Sequence, residues 1–285
     1  MDEAGERGLA DASDPRVIPG IYDYCHRRCE QCPFTDRCLT FRQMRDDEVR
    51  HPDGNVLEAV GRNIARTFDL LKAWCESAGI DFEQVRAEAR SERAMAALRE
   101  VDDVIESDPL HELAFTYSEA AIGLVSSLEA LAPFHEWPPE VREAIATIGW
   151  YSGMVAVKVD RSLDGIAGMD SVGLDEDPIQ NDWNGSAKVA RLAIAESKAA
   201  WDTLLRVGQA PPDARLRQTR ELLDRIDDGL ALRFPHAADF VRPGFDEPEI
   251  AAGAPSTLQC YEPRRRASGV KAWLRRIAGG WQRRS

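Results

Sequence analysis

Apolar positions recur at steps of three and four over most of this chain, a period that predicts helices rather than strands. Over 54–79, Leu57, Val60, Ile64, Phe68, Leu71 and Cys75 fall on one stripe beside Trp74, and Gly79 ends the element. A second helix is predicted over 81–106, opened by Asp81 and Gln84 as a capping pair and carrying Phe82, Val85, Met95, Leu98, Val101 and Ile105. Its middle, Arg86 to Arg93, is charged enough to be a solvated face. The third spans 109–131, with Asp108 as N-cap and Pro109 in the first turn. A fourth, from about 139 to 167, is of another kind: Ala144 to Val159 is apolar almost all round, which predicts a buried central helix. Helices over 184–208 and 211–233 complete the pattern. The expectation is an all-α protein, a helical bundle of about six helices occupying 54–234.

The segments outside the bundle lack this period. Residues 1–16 are charged and rich in Gly and Ala, and read as a disordered leader. Residues 17–42 are short of helical pattern but dense in cysteine. Residues 235–267 hold Pro235, Pro243, Pro248, Pro255 and Pro263 and read as a linker. In 268–285, Trp273, Leu274, Ile277 and Trp281 share one side, while Lys271, Arg275, Arg276, Arg283 and Arg284 take the rest. Such a basic amphipathic tail suits weak docking on an anionic membrane surface, on a protein partner or on the acidic body of the protein itself.

Charge narrows the partners. The net charge is −13, yet residues 264–285 hold eight basic residues and no acid, leaving 28 basic against 49 acidic residues in the remainder. An acidic body of this kind is unsuited to gripping nucleic acid, because phosphate contacts supply most of that affinity. No apolar run approaches the roughly eighteen residues of a membrane span. The acidic, polar start has no apolar signal region, so the expected location is cytoplasmic and reducing.

Cysteine is where the chemistry concentrates. Of six cysteines, Cys25, Cys29, Cys32 and Cys38 fall within fourteen consecutive residues, spaced Cys-x3-Cys-x2-Cys-x5-Cys. Disulfides between such close neighbours would constrain little of the unfolded chain, and a reducing compartment opposes them. Four thiolates in so short a span suit a tetrahedral zinc ion or an iron–sulfur cluster, the cluster being the first expectation and zinc the alternative. Either leaves negative charge that Arg27, Arg28 and Arg37 would offset. The Cys25-x3-Cys29-x2-Cys32 spacing is also that of radical S-adenosylmethionine enzymes, but the strand–helix alternation their barrel needs does not follow. His26 reads as a neighbour of the site rather than a ligand. Cys75 falls inside a helical stripe and Cys260 in the linker, away from the cluster.

The segment IYDYCHRRCEQCPFTDRC resembles the opening of a group of bacterial proteins that share a Tyr-Cys-x3-Cys-x2-Cys-Pro-Phe-Thr-x2-Cys pattern and have no assigned activity. The resemblance covers about twenty residues and implies no reaction.

Three functions follow in order. The first is an iron–sulfur protein serving electron transfer or redox and metal sensing. The second is a zinc-stapled helical module that binds a protein partner. The third is a bundle enzyme using Lys158, Asp160 and Arg161, a polar set expected at the end of the buried helix. No Gly-rich phosphate loop, nucleophile elbow or His-Glu-x-x-His sequence supports catalysis, so no catalytic residue is assigned.

Overall fold

The computed structural model describes residues 14–132, 136–172, 177–207 and 214–247. The tail over 268–285, Cys260 and most of the leader and linker lie outside them, as do residues 133–135, 173–176 and 208–213. Among the described residues every regular element is helical, in eight α-helices. They are α1 (Leu39–Arg50), α2 (Val56–Ser77), α3 (Phe82–Ala89), α4 (Glu92–Glu106), α5 (Pro109–Leu131), α6 (Pro139–Val172), α7 (Asp182–Val207) and α8 (Ala214–Arg233). No helix among the described residues is long and apolar enough to cross a membrane.

Local chemistry sets most boundaries. Asn55 accepts from the Glu58 N–H to open α2, and Asp108 accepts from the Leu110 N–H to open α5. The single helix expected over 81–106 is two. Asp81 caps α3 through the Glu83 and Gln84 N–H groups, and Ser91 accepts from the Ala94 N–H to start α4 afresh. Asn181 does the same for α7 through Asn184, two residues ahead of the expected start. Helix α1, over 39–50, has no counterpart in the apolar pattern, because its outward face keeps Met44 and Val49 exposed and its buried residue is Asp47.

The chain forms two compact units, one from Leu98–Phe240 and the other from the residues up to Ala97 with those from Val241 onward. The first is a four-helix bundle: α6 packs along α7, α5 lies against α6, and α8 closes the ring against α5 and α7. Tyr117, Ile148, Val155, Ile194, Trp201, Leu223, Ile226 and Leu230 are buried at its centre. The Trp201 indole N–H donates to the Tyr117 hydroxyl at 3.3 Å, so the two largest core side chains leave that donor satisfied. Ile105, near the end of α4, joins this core, whereas the stripe of α2 does not. The bundle core therefore starts later than residue 54.

The other departure is at the expected linker. Phe234, Ala237 and Phe240 are buried, and the Lys188 ammonium donates to the Ala238 and Phe240 carbonyls at 3.2 and 2.6 Å. The first prolines of that stretch thus shape packed turns, and Val241–Glu247 runs on into the cysteine-bearing unit. Aromatic side chains hold this part of the chain in place against its proline content.

Candidate metal centre

Single-turn 3-10 helices at Ile21–Asp23, Cys29–Gln31 and Thr35–Arg37 fold the cysteine segment back on itself. The Ile18 N–H donates to the Arg37 carbonyl at 3.0 Å and ties the lead-in to the end of the segment. Ile18, Ile21 and Phe34 are buried together, with Cys32, Cys38 and Phe245 packed against them. Asp14 anchors the rim: it accepts from Arg16 and from Arg42 on α1, and those guanidinium groups hold its carboxyl far below the usual range. Arg27, between the first two cysteines, takes a left-handed φ of 58°, a conformation that costs a non-glycine residue on the order of 1 kcal/mol.

All four sequence-singled cysteines line one hollow, together with Ile21, Thr35, Phe41, Phe245 and the His26–Arg28 stretch. All four are free thiols and half-buried. The Cys25 thiol donates to the Tyr22 carbonyl at 3.6 Å. Burial pushes the Cys29, Cys32 and Cys38 thiols up, and the negative charge each neighbour would carry pushes them further. Main-chain N–H groups oppose this. Phe34 favours the Cys32 thiolate, and Phe41 and Thr40 favour that of Cys38 at the start of α1, without reaching the geometry of a full capping bond. The Arg27 charge adds to the effect at Cys38.

The donor set fits a thiophilic centre. Soft sulfur donors line one hollow, N–H groups favour their ionised form, and a bound cation would relieve the repulsion between the thiolates. Among the described residues, no three or more His, Cys, Asp or Glu side chains stand in the arrangement of a formed metal site. The sulfurs share a hollow without being drawn onto one point.

His26 is turned so that its Nδ1 accepts from the Arg28 N–H at 3.0 Å, which keeps that nitrogen unprotonated. Burial lowers its pKa, and the Arg28 and Arg242 charges lower it further. Its ring lies 6.1 Å from that of Phe245.

Phe245 is the feature that sequence reasoning missed. It stacks edge-on against Phe34 at 5.2 Å, carries the Arg242 guanidinium 5.1 Å above its ring, and walls the hollow. Arg242 in turn pairs with Asp246 at 2.8 Å. The available signal was the recurrence of Phe234, Phe240 and Phe245 in a stretch whose prolines suggested a linker.

The polar set on α6 sits differently from expectation. The helix continues to Val172, so Lys158 lies in its interior and is buried. Asp160 meets the His111 Nδ1 at 3.0 Å, and Arg161 forms a two-pronged pair with Asp182, both bonds at 2.9 Å. Burial, then Asp160, Asp102 and Asp182, raise the Asp164 carboxyl. Asp160 and Arg161 are thus engaged in holding α6 to α5 and to α7. On α7, Lys188 holds carbonyls and Arg191 pairs with Asp227 at 2.8 Å.

No protein-family model, curated protein or solved structure matches the chain.

Proposed function

We propose that this chain is an iron–sulfur protein, with Cys25, Cys29, Cys32 and Cys38 as the cluster ligands, acting in electron transfer or in redox sensing. The observation that carries the reading is that four thiols from successive turns line a single hollow whose walls include Ile21, Phe41 and Phe245. A bound cluster would supply one-electron chemistry. The chain's part is to orient the four sulfurs and to exclude water with Phe41 and Phe245. Its N–H groups at Phe34, Thr40 and Phe41 and its charge at Arg27 stabilise the thiolates. Apolar walls and N–H donors around sulfur are the features that tune a cluster's potential, which favours this reading over a structural staple.

The test is anaerobic isolation of the full chain followed by metal and sulfide analysis. Iron with matching inorganic sulfide and a brown colour is the expected result. Serine at any one of the four positions should remove or halve the iron, while Cys75→Ser, in the buried C-terminal part of α2, should leave it unchanged. A colourless protein carrying zinc in equal amount would replace the cluster by the zinc-stapled module. Neither metal, with all four thiols open to alkylation, would overturn the reading.

A further inference from the structure

Up to Leu71, ahead of the buried Cys75, helix α2 is packed inside out. On its 3.6-residue repeat, Leu57, Val60, Ile64, Phe68 and Leu71 form a continuous stripe. Every one of them is exposed, Leu57 at 83%, Ile64 at 53% and Phe68 at 52%. The opposite side of the helix carries Arg62, Arg66, Asp69 and Ala73, and that side is the covered one. Arg62 makes a two-pronged pair with Asp47 of α1 at 2.9 and 2.8 Å, which fixes the polar face inward. A stable ion pair thus holds an apolar stripe toward water.

We propose that the stripe is a dimer interface, and that its occupant is α2 of a second copy of this chain, running antiparallel. Three observations select that occupant. The stripe is symmetric about Ile64: with two copies related by a twofold axis there, Leu57 of one faces Leu71 of the other, Val60 faces Phe68, and Ile64 meets itself. The residues flanking the stripe are Gly61 and Ala65 on one side and Asn63 and Thr67 on the other, so two copies approach without like-charge repulsion and with little bulk. A basic tail or an anionic membrane would find no run of acidic or basic flanks to match, only the isolated Glu58 and Lys72. The one nearby cation, Lys72, falls in this register beside Glu58 of the other copy. The exposed stripe, with Val56 at one end, offers on the order of 600 Å² per copy, approaching the ~800 Å² per side of a standard interface.

The experiment is light scattering on the size-fractionated full chain, reduced and at several concentrations, beside its Ile64→Glu variant. The expected result is a parent of about twice 31.7 kDa and a monomeric variant of unchanged helical circular dichroism, since position 64 faces water in the single chain. The direction of pairing is read by mixing Leu57→Cys protein with Leu71→Cys protein under mild oxidation. A cross-link favouring the mixed pair supports the antiparallel register, and one favouring like pairs overturns it. A parent that is monomeric, a dimer that survives Ile64→Glu, or a dimer abolished by removing residues 268–285 alone would overturn the assignment of this face to a second α2.

Discussion

Replacing Gly244 by alanine should open the cysteine-bearing unit while leaving the bundle as it was. Gly244 has a φ of 77°, in the left-handed region, where an alanine costs ~1–2 kcal/mol. A Cβ there would also stand 3.1 Å from Ile21 Cδ1 and 3.2 Å from Ile18 Cδ1, whose side chains are fully buried and have little room to move. Crowding of that kind adds ~1–2 kcal/mol, for a total of roughly 2–4 kcal/mol. Gly20 supplies the control. Its φ is 73°, but its nearest new neighbour would be Asp23 Oδ2 at 4.0 Å, so Gly20→Ala carries the backbone cost of ~1–2 kcal/mol alone. The assay is native-state hydrogen exchange at the Ile18 amide, which is bonded to the Arg37 carbonyl, with the Ile194 amide of α7 as the reference. Protection at Ile18 should fall by the larger amount in Gly244→Ala and the smaller in Gly20→Ala, with Ile194 unchanged. Equal losses in the two variants would refute the claim that the 241–247 turn packs onto the isoleucines beneath the hollow.

Two further outcomes follow from the buried groups. Because burial and mutual repulsion raise the Cys29, Cys32 and Cys38 thiols, the folded chain keeps protons that the unfolded chain gives up. Reduced, metal-free protein should therefore lose stability as pH climbs from the ordinary thiol range through the raised values, and Cys29→Ser with Cys38→Ser should flatten the slope. Thermal unfolding from about pH 8 to about pH 10 reads this, and a parent no steeper than the double variant would contradict it. For the same reason metal uptake should release protons and tighten with rising pH, as titration in weakly buffered solution would show. In the bundle, Tyr117→Phe leaves the buried Trp201 indole N–H without its acceptor and should cost ~1–3 kcal/mol in chemical denaturation, against almost nothing if that bond contributes no stability.

The residue pattern carried the helices and the identity of the thiol group, and the tertiary structure decided what faces what. Helix ends were legible because their causes are local: Asp108 and Asp81 cap the residues that follow them, and a stripe of period 3.6 needs no distant partner to be recognised. The cysteine group was legible for the same reason, four sulfurs within one short segment being neighbours in any compact fold of it. The 81–106 helix failed at Ser91, because a charged run with good helix formers hides a cap that the backbone uses to restart. The direction in which α2 points its stripe was not legible at all, since the Asp47–Arg62 pair that turns it joins residues on different helices. Nor was Phe245, which reaches the hollow from more than 200 residues along the chain. Periodicity records that a side chain is apolar. Whether it is covered by its own chain, by a second copy or by a metal site depends on contacts between segments, and those exist only once the chain has folded.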